Sequence, residues 1–215
     1  MTKGKIFCYS YKQTGWYGGR CTTGMDTKSL IINIATTLFQ QKGYIGVGLS
    51  EILKACDLSK GSFYHHFPNG KEELLIACLH TLNEVITKDI EEIFELYPTT
   101  QEATNRMIEK LIVNFETEGT ITGFTFSSII SEIASLSETV RGACSDLYSK
   151  MQGIYSNKLA ADGFPKESAE AIALMMTASM EGGIMLCLTQ KASDPLKVIS
   201  KVLLNLLKEF KKIHE

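Results

Sequence analysis

Between Ser59 and Phe67 the sequence runs SKGSFYHHF, placing a lysine, two hydroxyls, a phenol and two imidazoles within nine residues. An ammonium pairs with phosphate, while hydroxyl, phenol and imidazole can donate to or accept from the edges of nucleobases. On a helix advancing 100° per residue, Phe63 and Phe67 point the same way, into a core. Gly61 and His65 then point directly away, Ser62 and Tyr64 lie on the flanks, and Lys60 sits at the N-terminal end. Such a helix offers an outward face with no large apolar group and a first turn where glycine allows close backbone approach. Free N–H groups and the positive end of the helix dipole there favour phosphate.

Other reactive residues assemble into nothing comparable. His65 and His66 are adjacent, so on a helix they point about 100° apart and do not share a metal. The six cysteines, at 8, 21, 56, 78, 144 and 187, form no Cys-x-x-Cys clip, and no histidine cluster completes a zinc site. His80 and Glu84 share a face at i, i+4, but no third ligand or nucleophile accompanies them, and a solvated pair explains them. The pattern therefore predicts no catalytic residues, no metal and no cofactor, and the protein is not expected to be an enzyme. Unpaired cysteines in apolar helical surroundings point to a reducing cytoplasm.

The elements that must hold SKGSFYHHF in place are helical. Ile31, Ile34, Ala35, Leu38 and Phe39 form one stripe, capped by Asp26 or Thr27 and ended by Gly43. A short helix follows from Leu49 to Cys56, with Ile52, Leu53 and Cys56 inward. Asp57-Leu58 makes a tight connection, and Ser59 caps the third helix. Two short helices joined by a tight turn, the second presented outward, form a helix-turn-helix whose second helix suits a DNA major groove. Pro68-Asn69-Gly70 breaks the chain before a long helix from about Lys71 to Tyr97. Further helices read at about 101–117, 124–136, 138–161, 167–190 and 195–213.

Charge agrees with this division. Residues 1–75 carry a net of +4 while the rest carries −6, so a polyanion-binding end sits on a chain whose total is only −2. Residues 1–24 hold four positive charges, no acid and no helical period, and read as a flexible arm or as sequence upstream of the functional start. Residues 171–188, AIALMMTASMEGGIMLCL, reach the length of a membrane span. Glu181 and the Gly182-Gly183 pair near their middle favour a helix buried inside the protein instead, so no membrane is expected.

The stretch ATTLFQQKGYIGVGLSEILKACDLSKGSFYHHFPNGKEELL, residues 35–75, resembles the DNA-binding domain of the TetR family of bacterial regulators. That pattern runs A-x-x-L-F-x-x-x-G-Y, then a helix-turn-helix, then K-G-x-x-Y-x-H-F and K-E-x-L. FPNGKEEL and GGIMLCLTQKASDPLKVISKVLLNLL resemble the LmrA/YxaF-like subgroup, extending the likeness over residues 26–213. Gly48 replaces a frequent capping threonine, leaving that cap weaker or supplied by Ser50. Asp57 replaces the usual turn glycine, and His65 the frequent tyrosine. By position, the resemblance implies DNA contacts at Lys60, Gly61, Ser62, Tyr64, His65 and Lys71. Lys60 and Lys71 would neutralise phosphate, the Gly61 amide would donate to it, and Tyr64 would bond phosphate or pack on sugar. Ser62 and His65 would reach base edges.

The expected architecture is therefore all-α. A basic extension, 1–24, precedes a three-helix helix-turn-helix domain, 25–78, joined to a helical ligand-binding and dimerisation domain, 79–215. The last helix carries Leu196, Ile199, Leu203, Leu206, Phe210 and Ile213 in 3,4 steps, and the helix before it carries Ala169, Ala173, Met176, Met180, Gly183 and Cys187. Both seams are expected to meet their copies in a four-helix homodimer interface. The resemblance also implies an apolar pocket in the body, with Phe115, Phe124, Phe126, Met151, Tyr155 and Met176 as candidate lining for a small apolar or aromatic effector. The expected function is a cytoplasmic, ligand-responsive repressor binding double-stranded palindromic operator DNA as a dimer. An activator of the same fold and a helical enzyme without DNA binding are the alternatives.

Overall fold

Helices dominate because apolar residues recur at 3–4-residue spacing and because turn residues punctuate the runs. The computed structural model describes residues 8–12, 15–19, 26–119 and 137–214; the segment predicted to be helical over 124–136 lies outside them. Strands β1 (Cys8–Lys12) and β2 (Gly15–Gly19) pair antiparallel, with Tyr11 opposite Trp16, in a segment where a flexible arm was expected. The expectation rested on the missing helical period, which says nothing about a two-stranded ribbon.

Helices α1 (Thr27–Gly46), α2 (Leu49–Cys56) and α3 (Lys60–His66) follow. Then come α4 (Lys71–Leu96), α5 (Thr100–Glu118), α6 (Glu138–Ala161), α7 (Lys166–Gln190) and α8 (Asp194–His214). Asp26 caps α1: its carboxylate accepts from the Ser29 amide at 3.0 Å and the Ser29 hydroxyl at 2.8 Å, bonds that hold it below its usual pKa. The regular helix ends at Gly43 as expected, since that residue has φ 72° and ψ 165°, but one further turn runs on to Gly46. Thr99 and Glu102 form a reciprocal capping box on α5, and Gly119, at φ 68°, closes it.

The chain divides into two compact units. The first runs to Leu82 and takes in the start of α6 up to Ala143; its core contains Ile31, Phe39, Ile52, Phe63, Phe67, Leu74 and Leu79, each 2% exposed or less. The second comprises the rest of α4, α5, the remainder of α6, α7 and α8. Its core centres on Tyr155, whose ring lies 5.0 Å from that of Phe94 and whose hydroxyl donates to Met107 Sδ at 3.5 Å. One side chain of α6 and one just beyond its end satisfy orphan backbone groups around the α4–α5 turn. Lys158 Nζ donates to the Tyr97 carbonyl at 2.8 Å, and the Asp162 carboxylate accepts from the Thr100 amide at 2.6 Å. Glu116 on α5 accepts from Ser193 and Lys197, which lowers its pKa.

The expected α7 seam needs correction: Ala169, Ala173, Met176, Met180, Gly183 and Cys187 are all buried within this chain, as are Leu196 and Leu203 of the α8 seam. Ile199, Leu206 and Phe210 are half-buried, and the Ile213 side chain lies outside those described. A β-carbon on Gly183 would lie 2.6 Å from Ile199 Cδ1, so α7 and α8 cross there at close range. The apolar side chains left exposed are Leu174, Met185 and Leu186 on α7 and Val198 and Val202 on α8. Helix α7 is apolar on more than one face, and periodicity could not say which face meets α8. It is long and apolar enough to cross a membrane by length and composition, yet 44% of its most apolar window is buried.

Candidate DNA-binding surface

Helix α3 is anchored by its two phenylalanines. Phe63 and Phe67 are fully buried, their ring centroids 5.5 Å apart. Burying two such side chains stabilises the helix by several kcal/mol, roughly 1.5–3 kcal/mol each. Ser59 caps it, its Oγ accepting from the Ser62 amide at 3.1 Å. The preceding turn is made by Asp57 in the left-handed conformation (φ 54°, ψ 45°), and the Leu58 amide donates to the Leu53 carbonyl at 3.0 Å. Asp57 thus does the work of the usual glycine, since a short polar side chain tolerates that conformation. Helix α2 starts at Gly48 with no side-chain cap, so Ser50 does not substitute for the missing threonine.

The opposite face of α3 is polar and open. Lys60, Gly61, Tyr64 and His65 are exposed and Ser62 is half-buried. Lys60 and Tyr64, one turn apart, share a flank, with Nζ 5.9 Å from the ring centroid. Tyr64 stands edge-on to Phe63 at 5.4 Å, so its ring direction is fixed by the core beneath it. His66 is half-buried, edge-on to His65 at 5.1 Å. A β-carbon on Gly61 would meet only Ser59 Oγ, at 3.9 Å, so nothing inside the fold requires glycine there.

Lys71 is half-buried and turned inward. Its Nζ donates to the Tyr44 carbonyl and lies 4.0 Å from the Tyr44 ring centroid. Two residues outside the sequence-based set also shape the surface. Lys28 stands 5.7 Å over the Phe67 ring, and Lys42 pairs with Glu51, joining α1 to α2. Lys28 is 39 positions from Phe67, a separation at which sequence periodicity carries no signal.

In the second unit, Phe115, Met151, Tyr155 and Met176 are all buried, with Tyr155 and Met176 inaccessible. Phe124 and Phe126 lie outside the described residues. Burial raises the Tyr155 phenol, with Glu181 adding to the effect. His80 and Glu84 are both exposed, and the described residues contain no group of three or more metal-ligating side chains.

Comparison with known proteins agrees with this arrangement. Residues 31–78 match the model of bacterial regulatory proteins of the tetR family, and residues 100–202 match the LmrA/YxaF-like transcriptional regulator C-terminal domain. The HTH-type transcriptional regulator LmrA of Bacillus subtilis (strain 168) is 35% identical over 183 residues, covering 85% of this chain and 97% of its own. The uncharacterized HTH-type transcriptional regulator YxaF of the same organism is 33% identical, covering 84% and 94%. Among solved structures, reduced E. coli NemR superposes with a TM-score of 0.75 at 23% identity, covering 84% of this chain and 97% of that one. A motif in order, a fold and two family models converge: the chain belongs to the TetR family of bacterial transcriptional regulators, within its LmrA/YxaF-like group.

Proposed function

We propose that this protein is a cytoplasmic, ligand-responsive repressor that binds a palindromic operator as a homodimer. The observation that carries the reading is α3: two fully buried phenylalanines beneath a face of Lys60, Gly61, Ser62, Tyr64 and His65. Lys60 neutralises phosphate, Gly61 admits the backbone close to it, and Tyr64 bonds phosphate or packs on sugar. Ser62 and His65 read base edges. A dimer is supported by the exposed side of α7, where Ala171, Leu174, Ala178, Gly182 and Met185 recur at 3–4-residue steps without a charge, beside Val198 and Val202 of α8. The E. coli relative NemR is named a transcriptional repressor, which favours repression over activation.

The effector is a small apolar or aromatic molecule admitted to the body among Phe115, Met151, Tyr155 and Met176. It releases the operator only by binding the DNA-incompetent state more tightly than the competent one. The test is selection of bound sequences from a random DNA pool, followed by titration of His65→Ala. The wild type should enrich an inverted repeat, and the variant should lose roughly 1–3 kcal/mol at one position of each half-site. Enrichment of no sequence would sink the reading. Uniform loss on every sequence would make His65 a backbone contact.

A further inference from the structure

Lys71 and Tyr44 stand at the two ends of the segment that contains the whole helix-turn-helix. Tyr44 lies four residues before Gly48, which opens α2, and Lys71 lies four residues beyond Phe67, which closes α3. The hydrogen bond from Lys71 Nζ to the Tyr44 carbonyl therefore bridges 27 positions and closes that loop at its base. The ammonium is held from three sides. Besides the carbonyl, the Tyr44 ring lies 4.0 Å away and the Phe39 ring 5.8 Å away, the two rings themselves 5.4 Å apart. Phe39 is 2% exposed, so one wall of this cage belongs to the core. Because α1 breaks at Gly43, Tyr44 sits in a single extra turn, and its carbonyl accepts from the Val47 amide at 3.4 Å as well as from Lys71. Burial, with the charge of Glu72 adding to it, raises the Tyr44 phenol above its usual value, and the aromatic face attracts the cation.

Resting on the DNA-binding reading above, we infer that Lys71 is a positioning residue: its ammonium, caged by Tyr44 and Phe39, closes the base of the helix-turn-helix and fixes where α3 is presented, in place of neutralising a phosphate. A phosphate contact would require that charge to leave a carbonyl and two ring faces.

The full chain, Lys71→Met, Lys71→Arg, Tyr44→Leu and Tyr44→Phe are compared on the selected operator over a range of salt, after circular dichroism has fixed the folded fraction. Lys71→Met and Tyr44→Leu should each lower specific affinity about ten-fold or more, the scale of one lost charged hydrogen bond or cation–π contact. The log–log salt slope should stay as in the wild type, Lys71→Arg should restore binding, and Tyr44→Phe should be silent. A slope smaller by about 0.9 per subunit in Lys71→Met, with Tyr44→Leu unchanged, overturns the inference and makes Lys71 a phosphate ligand. Hydrogen exchange of the DNA-free protein gives a readout that needs no operator. Amides of 49–66 should exchange faster in both loss variants than in the wild type, and unchanged exchange there overturns the inference. Should the wild type bind no DNA at all, the functional proposal fails while the exchange experiment still decides the role of Lys71. Should Lys71→Met not fold, Tyr44→Leu carries the same comparison.

Discussion

Alanine at Gly183 should destabilise the protein while alanine at the adjacent Gly182 should not. A methyl at 183 would sit 2.6 Å from Ile199 Cδ1 and 2.9 Å from Leu196 Cδ2, closer than side chains pack. Ile199 is half-buried and can yield, but Leu196 is wholly inaccessible and has nowhere to turn. Overpacking of this kind costs about 1–3 kcal/mol. Against it stands the gain of roughly 0.8–1.0 kcal/mol for alanine over glycine inside a helix. Gly183→Ala should therefore lose between near zero and about 2 kcal/mol. At Gly182 a β-carbon meets nothing within 4 Å in this chain, so the helix gain is kept in the monomer, where the comparison is made. The two variants should differ by about 1–3 kcal/mol, the overpacking cost alone, or roughly 2–4 °C in Tm per kcal/mol for a chain of this size. Urea and thermal unfolding measure the difference, at protein concentrations low enough, or in the Leu174→Glu background, that both variants are monomeric. Equal stability of the two would refute the reasoning, because it would mean that α7 and α8 part at no cost.

Gly61→Ala should leave unfolding unchanged or slightly improved, since its β-carbon has room, yet weaken operator binding about ten-fold or more, because the added methyl holds phosphate away from the retained amide and breaks a charged hydrogen bond. Wild-type affinity in anisotropy titrations would remove Gly61 from the DNA surface. Leu174→Glu, on the exposed side of α7, should keep the helical fold and give a monomer that binds the operator poorly; a particle still dimeric by light scattering would place the interface elsewhere. The buried thiols should resist iodoacetamide at pH 8 in the native protein and react in denaturant, because burial raises Cys56 and Cys144 to about 11 and Cys78 to about 12. Their raised values add stability that is present below the ordinary thiol pKa and is lost as pH climbs from about 9 through those values. Urea midpoints that do not fall over that range would contradict it.

Local chemistry made the DNA-binding end legible in the sequence. The i, i+4 spacing of Phe63 and Phe67, the Ser59 cap, the turn at Asp57 and the breaks at Gly43 and Pro68 each act within a few residues, so the order of letters fixes them. The outward set of Lys60, Gly61, Ser62, Tyr64 and His65 followed from the same 100° step. The paired strands at 8–12 and 15–19 escaped that method, since it looks for helical period alone. What lay out of reach was every choice among faces and partners. Helix α7 is apolar nearly all round, so its sequence permits either side to meet α8; the close approach at Gly183, set by Leu196 and Ile199, decides it. Lys71 reads as a surface cation at a helix start, and its inward turn depends on a carbonyl 27 residues away, in the extra turn that follows the break at Gly43. Lys28 over Phe67 is of the same kind. Short-range rules select helices and their polar faces, because propensity, capping and period are properties of neighbouring residues. Pairings across tens of residues depend on how the helices pack, and only the tertiary structure holds that information.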